Sequence, residues 1–326
     1  MQNSENEVKR ISQKIRFLMA VLKSGSNIFL ILFCYSFFAS YFLTAELLTH
    51  FQVFYLGCAI FGFVLALYLK KQIYLAIHAI TIVFILFKLL PFYFYQDTIR
   101  NKEEILTVYQ ANVLVSNTNY QLVLDQITNL NPDLILLIET DSRWGAATTS
   151  LNEKYPYQIK SLDKGPFGFI FFSKIPLSNS EKINFGTGFD CLNIIVNWQG
   201  SNIRFIGAHP PPPMNDEYFK VRNLHISKYS EMINSQKVMP TIICGDLNIT
   251  PWSPSYQELI KKAGLHSTRY GFGILATWPS NLPYRIPIDH CLMTNHFGVE
   301  NTKVLPSINS DHLPMLNKIF LKTKEN

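Results

Sequence analysis

Charge is missing from two long stretches in the first third of the chain and nearly so from a third, and CxxC cysteine pairs are missing throughout. Asn27 to Ala45 carries no charged residue, and as a helix rising 1.5 Å per residue it is long enough to cross a roughly 30 Å hydrocarbon layer. Val53 to Leu69 is likewise uncharged, and Ile73 to about Tyr95 holds only Lys88, which near Pro91 and the tyrosine-rich end reads as snorkelling to the interface, with Tyr93 and Tyr95 in an aromatic belt. None of the five cysteines forms a CxxC pair, which removes the usual spacing of a zinc site or dithiol redox motif. Cys244 and Cys291 lie in apolar, strand-like runs and read as small buried hydrophobes; any pairing among Cys191, Cys244 and Cys291 stays open. There is no internal repeat, no low-complexity tract beyond Pro210 to Pro213, and no groove rich in Lys, Arg and aromatics of the kind single-stranded nucleic acid requires.

The charge that is present argues for topology. The formal net charge is +6, but Lys9, Arg10, Lys14, Arg16 and Lys23 all precede the first apolar run, and Lys70 and Lys71 separate the second from the third. By the positive-inside bias this puts the N-terminus in the cytoplasm, and three crossings then put everything after residue 96 outside it, in the periplasm or beyond the cell. A cleaved signal peptide competes for the first run, where Ala39, Ser40 and Ala45 are small; the long polar leader and the apolar runs that follow favour an uncleaved anchor. The expected organisation is a basic cytoplasmic segment over 1–25, three transmembrane helices over 26–96, and a separate domain over 97–326.

That domain reads as short apolar or β-branched runs divided by Asn, Pro and Gly. Strands are expected at 105–113, 133–139, 167–173, 191–198, 202–209, 239–248 and 289–294. Helical spacing occurs over 120–129, stopped by Pro132, and helices are expected at 216–235 and 253–263. The fold class is α/β: two packed β-sheets flanked by helices, a four-layer sandwich, preceded by an α-helical membrane region.

Polar residues recur where apolar strands end: Asn112 after ILTVYQA, Glu139 after DLILLI, His209 after NIRFIGA, and Asp246 with Asn248 after TIICG. Asp289 stands in RIPIDHCLM, and Ser310, Asp311 and His312 in NSDHLP. Strand ends open onto one edge of a sandwich, so side chains distant in sequence can meet there. Carboxylate, amide and water oxygens suit Mg2+ or Mn2+. Glu139 and Asp311 are the best anionic ligands, with Asn112 a neutral helper. Hydrolysis further needs a base for water and a donor for the leaving oxygen. Asp246 suits the first task, His209 the second; Asn248 suits a phosphoryl oxygen, and Asp289 would hold His312 in one tautomer.

The ordered set QAN at 112, LLIE at 139, GDLN at 245–248, RIPID at 289 and SDH at 310–312 resembles the endonuclease/exonuclease/phosphatase superfamily over roughly residues 105–320. The resemblance implies metal binding by Asn112 and Glu139, handling of water and phosphate by Asp246 and Asn248, metal and catalytic roles for Asp311 and His312, and support of His312 by Asp289. Leu114 departs from the second acid that nucleases of the superfamily often carry two positions after the Asn, and Lys174 in GPFGFIFFSKIP stands for an Arg. Blander readings hold elsewhere: His225 and His266 as surface residues, His290 on the opposite strand face from Asp289, Asp141 as a loop charge, and Trp144, Trp252 and Trp278 as packing. With its spans, the chain is similar to the membrane-anchored branch that includes teicoplanin-resistance proteins. This implies hydrolysis of a phosphate ester or pyrophosphate of a lipid or polyprenyl carrier. The rivals are an extracytoplasmic nuclease and a non-catalytic membrane receptor keeping the fold.

Overall fold

The computed structural model describes residues 2–94, 104–235 and 239–322, so the expected end of the third span at Tyr95 and the expected boundary at 96/97 lie outside the described residues. The chain separates into two compact units, Met1–Pro91 with Trp252–Pro254, and Phe92–Pro251 with Ser255–Asn326.

The first unit is helical. Helix α1 (Gln2–Tyr35) joins the basic leader to the first apolar run without a break, but the run expected as one span over 27–45 is not one helix: α1 gives way to a 3-10 turn, Ser36–Phe38, and Leu43 to Ala45 belong to the next helix. Helices α2 (Leu43–Thr49) and α3 (Gln52–Tyr68) are bent by 68° at their junction, and α4 (Gln72–Leu89) precedes the one-turn α5 (Pro91–Phe94). Among the described residues two helices are long and apolar enough to cross a membrane, or three if the bent pair counts as one span, which supports membrane association. Leu22, Leu65 and Ala66 pack together, and Ser26 Oγ lies 2.9 Å from His78 Nε2.

The second unit is built on alternation. In β1 (Leu106–Asn112), Leu106 and Val108 face one way and Tyr109 and Ala111 the other, and β2 (Leu134–Ile138) splits likewise into Leu134, Leu136, Ile138 and Ile135, Leu137. Both faces are apolar because both are covered, as parallel pairing demands. Helix α6 (Tyr120–Leu130) lays Val123 and Ile127 on the outer face and stops at Asn131, whose left-handed φ of 50° caps it. After the short α7 (Ser142–Ala147), β3 (Tyr157–Ser161) and β4 (Phe169–Ser173) continue this sheet, β4 pairing with β2 and β3 with β4.

The second sheet starts with β5 (Leu177–Ile183), β6 (Cys191–Trp198) and β7 (Ser201–Ala208). Helix α8 (Asp216–Asn234) follows, capped by the Asn215 side chain, which accepts from the Tyr218 N–H. Then come β8 (Thr241–Asp246), α9 (Pro254–Ala263), β9 (Leu265–Ser267) and β10 (Asp289–Thr294), while β11 (Phe297–Val304) and β12 (Met315–Leu321) return to the first sheet. The strand orders are β11-β12-β1-β2-β4-β3 and β5-β6-β7-β8-β10-β9. Among the described residues only β1/β2 and β7/β8 pair in parallel, and each of those pairs is crossed over by a helix, α6 or α8. The inter-sheet core joins Leu136, Ile138 and Phe171 to Ile194, Phe205 and Ile242, and α8 and α9 cover the second outer face through Ile226, Tyr229, Tyr256 and Leu259. The result is helix, sheet, sheet, helix.

Beyond the expected strands the structure adds β3, β5, β9, β11 and β12. β5 is an edge strand whose five middle residues are exposed, so LSNSEKI carries no apolar alternation to read.

Gly245 has a φ of 138°, and a Cβ there would overlap the Ala208 carbonyl of the adjacent parallel strand. Gly245→Ala is therefore expected to destabilise the protein by about 1–3 kcal/mol, as overpacking of a closed contact does. A urea midpoint equal to wild type would show that β7 and β8 are not packed this tightly.

Candidate active site

The two parallel pairs deliver four polar residues to one edge. Asn112 ends β1 and Glu139 follows β2 in the first sheet; His209 follows β7 and Asp246 ends β8 in the second. Face-to-face packing brings the ends into contact: Asn112 Nδ2 donates to Glu139 Oε1 at 2.8 Å and to Asp246 Oδ2 at 3.4 Å, and His209 Nε2 lies 3.9 Å from Glu139 Oε1. Glu139 and Asn248 have left-handed φ values of 62° and 52°, a conformation that costs non-glycine residues and gathers at functional positions.

The antiparallel pair β8/β10 sets Asp289 directly opposite Asp246. Across from them His312, in the β11–β12 connection, lies with Nδ1 2.9 Å from Asp289 Oδ2 and Nε2 3.6 Å from Asp246 Oδ2. Ser310 fixes that connection, its hydroxyl donating to the Asn112 carbonyl at 2.8 Å and accepting from the His312 N–H at 3.1 Å.

Electrostatics separates the members. Burial alone would lower the His312 pKa, but the Asp289 and Asp246 carboxylates outweigh it and raise the imidazole to about 10, so His312 is a cation. Burial likewise acts to raise Asp289, yet the His312 charge and hydrogen bond hold it below the ordinary carboxylate value. Asp246 is raised, by burial first, with the Asp289 and Glu139 charges adding to it against the pull of His312. Glu139 is also raised by burial, partly offset by the Asn112 hydrogen bond. His209 is pushed down to about 3 by burial and the His312 charge, and is therefore neutral. One fixed cation, one neutral imidazole and a carboxyl group raised toward neutrality make up an acid/base system.

Asp246, Asp289 and His312 bring ligand-type atoms within 4.8 Å of one another, a group with the makings of a metal site. His312 already supplies the positive charge between those carboxylates. The other two acids differ: Asp311 accepts from Trp278 Nε1 at 3.1 Å through Oδ2, while its Oδ1 is buried without a donor, and its charge acts on both Glu139 and His312. Asn248 sits at the rim: its N–H donates to Asp246 Oδ1 at 2.8 Å and its side-chain amide to the Pro210 carbonyl at 3.0 Å. All eight expected site residues thus belong to this edge, seven linked to it by direct polar contacts and Asp311 through Trp278 and its charge.

The family model for the endonuclease/exonuclease/phosphatase family matches residues 109–312, well over half of the chain. The chain belongs to that family. Membership makes it a metal-dependent hydrolase of phosphoric esters. Among solved structures, D. rerio TDP2 complexed with single strand DNA product is 16% identical, covers 67% of this chain and 99% of its own, and superposes with a TM-score of 0.58. An endonuclease/exonuclease/phosphatase family protein from Bacteroides thetaiotaomicron gives 16%, 68%, 100% and 0.57, and SmcL gives 16%, 67%, 99% and 0.54. These likenesses speak for the fold. No curated protein matches this chain.

The residues fit the family's divalent ion. Asp311 Oδ1 is a buried acceptor with no donor, its charge acts on Glu139, and no ion pair with Lys or Arg reaches either carboxylate among the described residues. Hard oxygen donors of this type suit an alkaline-earth or manganese ion. Leu114, where family nucleases often have a second acid, takes a φ of 60° and donates its N–H to Asn112 Oδ1, so that position orients the Asn amide.

Several supporting residues escaped the sequence reading. Arg269 is fully buried and donates to the Asp289 carbonyl and to His290 Nδ1, at 3.2 Å in the latter case; His290 Nε2 donates to the Ile249 carbonyl at 2.7 Å. Arg222 donates to the Asn248 carbonyl at 2.9 Å. Two readings need correction. His225 is not on the surface but fully buried, with Nε2 2.6 Å from Thr187 Oγ1, because α8 turns it into the covered face. Asp141 is not a loop charge but the N-cap of α7, accepting from the Arg143 and Trp144 N–H groups.

A raised histidine contributes stability that is complete below its ordinary value of about 6.5 and is lost as pH rises through its folded-state value of about 10. In chelator-containing buffer, the thermal midpoint is expected to fall by several degrees across that window, and His312→Gln to flatten the fall. A wild-type curve no steeper than the variant's would mean that His312 is not held charged.

Proposed function

We propose that the protein hydrolyses a phosphate ester or pyrophosphate of a lipid or polyprenyl carrier, at the outer face of a membrane. The observation that carries the chemistry is the convergence of Asn112, Glu139, His209, Asp246, Asp289 and His312 on one edge of the sandwich. Support for the lipid is covalent: α4, an apolar helix long enough to span a bilayer, ends at Leu89, and β1 begins at Leu106, so a short tether raises the effective concentration of membrane phosphates at the site. The resemblance to the membrane-anchored branch, and the placement of basic residues before and between the spans, favour the outer face.

Each residue then has a task. Glu139 and Asp311, with Asn112, would hold Mg2+ or Mn2+, and the bound ion would supply positive charge to a phosphoryl oxygen. Asp246, its carboxyl raised by burial, takes a proton from the attacking water. His312 places its cationic Nε2 face toward Asp246 and the developing negative charge, and Asp289 fixes the ring through Nδ1. His209, neutral and buried, offers an N–H to the leaving oxygen. Asn248 reaches a phosphoryl oxygen after releasing the Pro210 carbonyl.

A second reading, hydrolysis of a nucleic-acid phosphodiester, is favoured by the likeness to TDP2 complexed with single strand DNA product. Full-length protein in detergent, with Mg2+ or Mn2+, separates the two when offered lipid phosphates, lipid pyrophosphates and plasmid or single-stranded DNA. Release of phosphate or headgroup from lipids well above any nicking is expected, and the reverse ranking would replace the lipid reading. Asp246→Asn and His312→Ala should each lower turnover by about 10²- to 10⁴-fold without loss of fold. Glu139→Gln or Asp311→Asn should weaken metal binding, read by calorimetry, by at least about 10-fold, and unchanged binding would move the ion elsewhere.

A further inference from the structure

We propose that Cys244 and Cys291 are a cross-strand disulfide site that locks β8 to β10 directly behind Asp246 and Asp289. The register pairs Cys244 with Cys291 and Asp246 with Asp289 on the same two strands. In antiparallel strands hydrogen-bonded and non-hydrogen-bonded pairs alternate, and the latter bring Cα atoms to about 4.5 Å with their side chains closest. The phase is fixed here. The Leu247 N–H donates to the opposite Ile288 carbonyl at 3.0 Å, making 247/288 a hydrogen-bonded pair. Counting back, 246/289 and 244/291 are both non-hydrogen-bonded. The other edge of β10 agrees, since the Cys291 carbonyl accepts from Thr268 in β10's pairing with β9.

A separation of about 4.5 Å lies within the Cα range that a disulfide spans without backbone movement. The sulfurs stand 2.7 Å apart, against about 2.0 Å in a bonded pair. Both thiols point into the inter-sheet core beside Ile242 and Met293, and no aqueous route reaches them, Cys244 being 1% and Cys291 0% exposed. Cys191 is on the other face of its sheet, packed against the layer with Ile226 and Tyr229, and is not a competitor.

The reaction is a two-step exchange with a disulfide-bearing oxidant, a small disulfide or a protein thiol oxidase of an oxidising compartment. One cysteine sulfur attacks the oxidant and releases one thiol. The second attacks the mixed disulfide, forming the Sγ–Sγ bond and releasing the other thiol. Two cysteine thiols lose two electrons and two protons, and the oxidant gains them. Because both sulfurs are buried, exchange requires β8 and β10 to be apart, so the bond forms before the sheet closes and resists reductant afterwards. The alternating period then ties the link to the site: the residues two positions on from Cys244 and two before Cys291 are the carboxylates that flank His312.

The test uses full-length protein in detergent. It is incubated with oxidised glutathione in urea just below the unfolding transition, then unfolded with excess maleimide and weighed. A parallel sample kept reduced under the same urea counts all five thiols and establishes access. The oxidised sample is expected to carry three labels, to yield a Cys244–Cys291 linked peptide in a non-reduced digest, and to unfold at higher urea than the reduced one. Cys191→Ser should then carry two labels and keep the link, and the double variant Cys244→Ala/Cys291→Ala should lose any difference between oxidised and reduced midpoints. Five labels in the oxidised sample, or a link through Cys191, overturns the site; a link without a midpoint shift overturns the lock.

Discussion

His312 carries a buried positive charge between Asp289 and Asp246, and a charge in such a place must be neutralised where it stands. That requirement reaches well beyond the three side chains. Asp289 has to keep its position at the start of β10, and Arg269 holds its carbonyl from behind. Arg269 is itself a buried cation, lowered to about 10 by burial, and needs acceptors: it finds the Leu275 carbonyl and the Nδ1 of His290. His290 is thereby fixed as the tautomer with a proton on Nε2, which it gives to Ile249 in the loop that carries Asn248. One chain of donors thus runs from the charged pair to the loop after β8.

The geometry that brings these groups together comes from two parallel strand pairs in otherwise antiparallel sheets. A parallel pair sends both C-terminal ends to one edge, and the crossover helix occupies the outer face, leaving that edge open. Each sheet does this once, with β1/β2 and with β7/β8. Packing the sheets face to face then sets Asn112 and Glu139 against His209 and Asp246, so two unremarkable sheets make a site that neither contains.

This explains what could be read in advance. Strands that end in a polar residue announced themselves by an apolar run followed by Asn112, Glu139, His209 or Asp246, and β6 and β10 are found over the residues expected, 191–198 and 289–294. The α8 and α9 helices agree to within a residue of 216–235 and 253–263. The spans were legible as absent charge, but not their breaks: composition alone cannot show that the first helix runs back to Gln2 or that α2 and α3 meet at 68°. β12 was missed because its MLNKIFL mixes polar residues into a strand whose identity comes from pairing with β1, more than two hundred positions earlier. Arg269 and Arg222 were unreadable for a related reason: each acts on backbone carbonyls, which leave no trace in residue type, and of His290 only the strand face could be read, not its bond to the Ile249 carbonyl. His225 misled because helical placement decides burial, and an isolated histidine carries no sign of which way its helix will turn.

The charge balance of the edge links the metal to the substrate. Glu139, Asp246, Asp289 and Asp311 stand with one imidazolium, and Glu139 and Asp246 are raised by burial, which strips water from their charged forms, and further by neighbouring carboxylates. Such an edge repels a phosphate on its own, since like charges a few ångströms apart in a low-dielectric site cost several kcal/mol, of the order of 4 at an effective dielectric of about 20. Positive charge must therefore enter with or before the anion, and the buried, donorless Oδ1 of Asp311 marks where the deficit is felt. The same reasoning assigns the two ends of the site. If Glu139 and Asp311 hold the ion as proposed, that side would accept phosphate only with the added cation, whereas the His312 side carries its cation built in. On that proposal the enzyme would bind its anionic substrate only when loaded, while the contacts of His312 with Asp246 and Asp289 need no added ion.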